Sequence, residues 1–68
     1  MALMQDMVME MVRHLRPGDV LHGGELVVRM DELRNGTQHM TVIDVTGKVK
    51  RVAYGCAFVL MRQTREEE

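Results

Sequence analysis

The sequence predicts a small α+β domain, mostly β: one N-terminal amphipathic helix packed on a strongly bent five-stranded antiparallel sheet. Three observations carry this expectation. An apolar stripe at helical spacing opens the chain, at Met4, Met7, Val8, Met11, Val12 and Leu15. From residue 19 onward, apolar and polar residues alternate as they do in half-buried strands. Asn35-Gly36 and Thr46-Gly47 then supply tight reversals between the alternating runs.

The helix is expected over residues 2–15. At about 100° per residue the six stripe residues fall within one face about 140° wide. Asp6, Glu10, Arg13 and Met9 lie off that stripe, so Met9 is expected at the surface. Arg13, His14 and Arg16 gather at the C-terminal end, where positive charge complements the helix dipole. Pro17 cannot donate to a helix and pushes Arg16 out of helical geometry, so the helix stops there. Pro17-Gly18 suits the centre of a type II turn. The stripe counts from Met1, and a start at Met4, Met7, Met9 or Met11 would shorten it.

Five strands follow, over residues 19–22, 25–33, 38–45, 48–54 and 57–61. In the second, Leu26, Val28 and Met30 are expected on one face, with Val27, Arg29 and Asp31 on the other. Both central residues of a type I′ turn need positive φ, which asparagine and glycine tolerate, so Asn35-Gly36 joins the second and third strands as a tight hairpin. Gly55-Cys56 separates the last two. Residues 1–62 form a single domain on this reading, and residues 63–68 a polar, frayed tail.

The bulk numbers narrow the function. A chain of 68 residues buries only about 60% of its unfolded surface and usually needs a staple. Cys56 is the single cysteine, which excludes an intramolecular disulfide and fits a reducing compartment. Self-association or docking on a larger protein is the staple that remains. The formal net charge is −1, and without Glu66, Glu67 and Glu68 it is +2, nine basic residues against seven acidic. That is short of the positive charge that announces a nucleic-acid binder. No apolar run is long enough to span a membrane, and Asp6 and Glu10 interrupt any signal-peptide core, so a cytoplasmic protein with no membrane partner is expected.

Candidate chemistry is sparse. The stripe residues Met4, Met7, Val8, Met11, Val12 and Leu15 are candidates for a protein interface, because methionine faces adapt to irregular partners. The same residues are also, and on the size of the chain more readily, what a thin core would use to close itself. Lys48, Lys50 and Arg51, with Tyr54 as a stacking platform, are the candidates for nucleic-acid contact. Lysines on an exposed edge also discourage unwanted strand pairing. His14, His22, His39 and Cys56 are too far apart in sequence for a zinc pattern, and no cofactor is implied. The chain has no serine, no nucleophile elbow and no phosphate-cradling glycine loop.

A helix followed by five short strands and tight reversals resembles, over residues 2–62, the SH3-like small barrels and especially the Sm-like RNA-binding proteins. The resemblance implies a small barrel. Bacterial Sm-like proteins carry a basic residue and a histidine in the turn before the last strand, and these contact RNA. Here Tyr54-Gly55-Cys56-Ala57 keeps only a comparable tyrosine, so no RNA-contacting residue carries over. Pro17-Gly18-Asp19, Asn35-Gly36 and the valines at 42, 45 and 49 also resemble the composition of small accessory proteins of bacteriophages that infect high-GC bacteria. The function expected from all of this is that of a non-enzymatic binding or assembly protein, a homo-oligomer or the partner of a larger protein. The alternative is a small nucleic-acid-binding regulator.

Overall fold

Two reversals organise the middle of the chain. A computed structural model describes residues 6–64. Its elements are β1 (Met7–Met11), one 3₁₀ turn (Val12–His14), β2 (Leu26–Arg34), β3 (Thr37–Ile43), β4 (Val49–Gly55) and β5 (Val59–Gln63). Asn35 and Gly36 hold φ of 52° and 75°, the pair of positive values that a two-residue hairpin between β2 and β3 requires. Asp44 builds the next reversal. Its carboxylate accepts the Thr46 N–H at 2.9 Å, the Thr46 hydroxyl at 2.6 Å and the Lys48 N–H at 3.0 Å. Strands β2, β3 and β4 form one antiparallel three-stranded sheet, and β1 pairs with β5 in a two-stranded ribbon.

The N-terminal helix is not present. Residues 7–11 are a strand whose Met9 lies opposite Met61, and among the described residues helical geometry is limited to the 3₁₀ turn. The five strands are split between two sheets that do not close, so the expected single bent sheet and SH3- or Sm-like barrel are also corrected. Two physical reasons account for the strand in place of the helix. Residues 7–12 alternate in period two as well as they follow period 3.6, with Met7, Met9 and Met11 in one phase and Val8, Glu10 and Val12 in the other. Strand β5 also needs a partner along its whole length, and a helix offers it no backbone donors or acceptors. Met4 lies outside the described residues.

The expected first strand, residues 19–22, is a linking segment instead. Val20 bridges Leu26 and Leu21 bridges Arg62, so each side is held only briefly. The turn before it closes as expected, with the Asp19 N–H bonded to the Arg16 carbonyl at 3.0 Å. At the other end, β5 runs through Gln63, and the Thr64 N–H bonds to the Asp6 carbonyl at 2.9 Å.

The core lies between the two sheets. Leu15, Leu21, Val27, Met40 and Val42 form its buried cluster, with Met30, Val52, Tyr54 and Leu60 packed against them. Met40, in the central strand, is fully buried and is the largest such side chain. The expected alternation of β2 is interrupted twice. Register shifts between Val27 and Arg29 and between Met30 and Glu32 mark bulges at Val28 and Asp31. Each bulge inverts the pleat. Val27 and Met30, not Leu26, Val28 and Met30, therefore face the core.

Gly24 supplies a test of the turn that leads into β2. It sits at φ 90°, and a Cβ built on it would lie 2.6 Å from the Val45 side chain, whereas one on Gly23 would meet nothing within 4 Å. Gly24→Ala is expected to cost about 1–3 kcal/mol, while Gly23→Ala stays close to the wild type. Urea denaturation midpoints of the two variants check this, and equal midpoints would contradict it.

Candidate functional site

Strand alternation gives the β1–β5 ribbon two unlike faces. The inner face carries Val8 and Glu10 from β1 with Leu60 and Arg62 from β5. The outer face carries Met7, Met9 and Met11 opposite Gln63, Met61 and Val59. Met9 is 69% exposed, Val59 45% and Met61 38%, so this face is apolar and open to solvent. The five expected interface residues that are described are thereby separated. Met7 and Met11 belong to the outer face, Val8 turns inward, and Val12 and Leu15 are buried. Met9 is at the surface as expected, but through strand alternation. Val59 and Met61 were missed by sequence reasoning. A period-two reading of Met7, Met9 and Met11 beside Val59 and Met61 would have found them.

An inner-face ion pair fixes the ribbon. The Arg62 guanidinium donates to the Glu10 carboxylate at 2.9 Å and to the Gln63 carbonyl at 2.7 Å, and the other Glu10 oxygen lies 3.3 Å from His14 Nδ1. Arg62 is buried, and its Nε–H has no partner among the described residues.

Where the sheets part, an apolar cleft of about 330 Å³ opens, lined by Leu21, His22, Tyr54, Val59, Leu60 and Met61. Tyr54 stacks on Phe58 across this end, ring centroids 5.9 Å apart and planes within 8°. Glu25, also on the cleft wall, pairs with Lys50 at 3.4 Å.

The outer face of the three-stranded sheet is mostly polar. Asp31, displaced by its bulge, accepts the Thr41 hydroxyl at 2.8 Å and is paired with Arg29, and Arg51 lies 3.5 Å away. The Arg29 and Thr41 hydrogen bonds, aided by the charges of Arg29 and Arg51, hold the Asp31 carboxyl below the usual carboxylate range against a smaller opposing effect of burial. Asp44 is lowered likewise, first by the Thr46 hydroxyl and then by the Lys48 N–H. A shorter apolar row, Leu26–Ile43–Val49, crosses the end of this face.

The nucleic-acid candidates are not brought together. Lys50 and Arg51 project from opposite faces of β4, and each is engaged by a carboxylate, Glu25 and Asp31 respectively. Lys48 lies at the turn, and Tyr54 packs against the core. A strip of free cations beside an aromatic platform is thus not formed. Among the described residues no group of three or more His, Cys, Asp or Glu side chains is placed to hold a metal ion. No helix among them is long and apolar enough to cross a membrane.

Comparison with protein-family models, with curated proteins and with solved structures gave no match.

The lowered Asp31 carboxyl makes a signed prediction. A group whose pKa is depressed by folding contributes stability above its unfolded value, and loses that contribution as pH falls through its folded value. Asp31→Asn should therefore lower the urea midpoint at about pH 7, and the gap from wild type should close below about pH 4. A gap that persists unchanged in acid would remove the electrostatic account.

Proposed function

We propose that this is a non-enzymatic binding or assembly protein acting through protein–protein contact, and that its contact surface is the outer face of the β1–β5 ribbon. The observation that carries this reading is a solvent-exposed apolar face on a domain with very little core. Five neighbouring apolar side chains, Met7, Met9, Met11, Val59 and Met61, share that face. Only six hydrophobic side chains, among the described residues, count as the buried core. A small domain gains more from covering such a face than from leaving it wet, since burying one large apolar side chain is worth about 1.5–3 kcal/mol. Contiguous exposed apolar surface marks interaction sites in soluble domains. Methionine suits the task, being unbranched, polarizable and able to repack against an irregular partner.

The charges support the same choice. Of the cations weighed for a phosphate backbone, Lys50 and Arg51 are paired with Glu25 and Asp31, whereas the described side chains of the methionine face carry no charge.

A photo-crosslinking residue placed at Met61 tests the reading, with one at Val45 as the control. Val45 is more exposed, at 75%, but lies in a polar turn. The expected result is a discrete protein adduct in cells from position 61 and none from position 45. Equal, diffuse labelling from both positions would overturn it.

A further inference from the structure

We infer that β1 is a pairing edge for a second copy of this chain, joined antiparallel about a two-fold axis at Met9. This rests on the protein-contact reading and names its partner.

The hydrogen-bond pattern defines the edge. In an antiparallel pair, opposed residues alternate between those that exchange main-chain bonds and those that do not. The Val12 N–H donates to the Phe58 carbonyl at 2.8 Å, and the Thr64 N–H to the Asp6 carbonyl at 2.9 Å. The even-numbered residues of β1 therefore bond toward β5. The N–H and C=O groups of Met7, Met9 and Met11 point the other way. No described strand lies there, because β1 pairs only with β5. The far side of β5 is occupied instead, by bonds from the His22 N–H to the Met61 carbonyl at 2.9 Å and from the Gln63 N–H to the Val20 carbonyl at 2.8 Å.

The other free edges are defended. Strand β4 carries Lys50 and Arg51 with Lys48 just before it, and the open half of β2 carries Arg29, Asp31, Glu32 and Arg34. Charges of this kind block edge-to-edge pairing. On β1 the single charge is Glu10, which points inward and is neutralised by Arg62 at 2.9 Å. The undefended edge and the apolar outer face belong to the same three methionines.

The edge is also self-complementary. With Met9 opposite Met9 of the second copy, Met7 faces Met11 and Val8 faces Glu10. The three methionine pairs each exchange two main-chain bonds, which uses every edge group named above. The product is a four-stranded sheet in the order β5, β1, β1, β5, with four methionines, two each of Met9 and Met61, in its central row. Such an isologous two-fold contact closes on itself and does not propagate.

Light scattering on the full chain and a self-disulfide test decide the matter together. Wild type is expected at twice the 7.8 kDa chain mass, and Met9→Lys at the single mass with its β-type circular dichroism intact. Because paired residues across this register lie about 5.5 Å apart, within disulfide reach, Met9→Cys in a Cys56→Ala background should oxidise rapidly to a linked dimer. Val45→Cys in the same background should not. A doubled mass with no faster linkage at position 9 than at 45 overturns β1 pairing, as does a doubled mass that survives Met9→Lys. A wild type of single mass whose Met61 crosslinker still couples to a different protein overturns the pairing of copies and leaves the protein-contact reading standing. A single mass with equal labelling from Met61 and Val45 overturns both.

Discussion

The two sheets share no strand ladder, and the structure depends on the seam that joins them. That seam is the segment at residues 18–22 together with Arg62. The segment bonds to β2 on one side, through the Val27 N–H to the Asp19 carbonyl, and to β5 on the other, through the His22 N–H to the Met61 carbonyl. Arg62 sits where the parts meet: it is opposite Val8 on β1, bridged to Leu21, and paired with Glu10. A buried pair of this type adds little net stability, because desolvation offsets most of the Coulomb gain, but breaking it strands a charge. Its value here is in register. A one-residue slip of β1 along β5 would carry Glu10 to the solvent face and bring methionine under Arg62. Among the described residues the Arg62 Nε–H finds no partner, so part of the guanidinium's desolvation is left uncompensated by them.

Register, in turn, decides what the surface offers. With Glu10 held inward, every outward side chain of β1 is a methionine, and its only charge is spent inside the molecule. The charges of the three-stranded sheet pair with one another or with the segment before it: Arg29 and Arg51 around Asp31, Lys50 with Glu25, Arg34 with Glu32. The molecule is thus divided into a polar, charge-paired sheet and an apolar ribbon. This division separates the protein-contact reading from a nucleic-acid one. Phosphate binding needs cations that gain by meeting anions, and here most of the cations on that sheet have carboxylate neighbours.

The middle of the fold was legible because its determinants are local. Asn35-Gly36 has few alternatives to a two-residue hairpin, and Asp44 with Gly47 closes the next turn from within a few residues. Strands β2 to β4 accordingly fall within a few residues of their expected bounds. The bulges at Val28 and Asp31 were not legible. They depend on Thr41 and Arg51 across the sheet offering Asp31 partners, and on Met40 requiring Met30 opposite it. Residues 19–22 read as a strand because they are extended, but an extended segment that shares its bonds between two neighbours forms a ladder with neither. The basic residues were legible as a group in sequence and are not a group in space, because adjacent strand positions point apart.

The N-terminal segment was misread for a reason that bears on function. A strand with one wet face alternates apolar with polar and is easily recognised. Strand β1 instead presents apolar side chains on both faces: Val8 and the following Val12 inward, Met7, Met9 and Met11 outward. Apolar residues in both phases of a strand also fill the positions of a helical stripe, so Met7, Val8, Met11 and Val12 satisfy either period. The outward methionines create the ambiguity, since polar residues in their place would leave no helical stripe through Met7, Val8, Met11 and Val12. A strand that has to serve the core alone has no need of them. The feature that disguises β1 as a helix is therefore the same exposed methionine face on which the proposed contact surface rests.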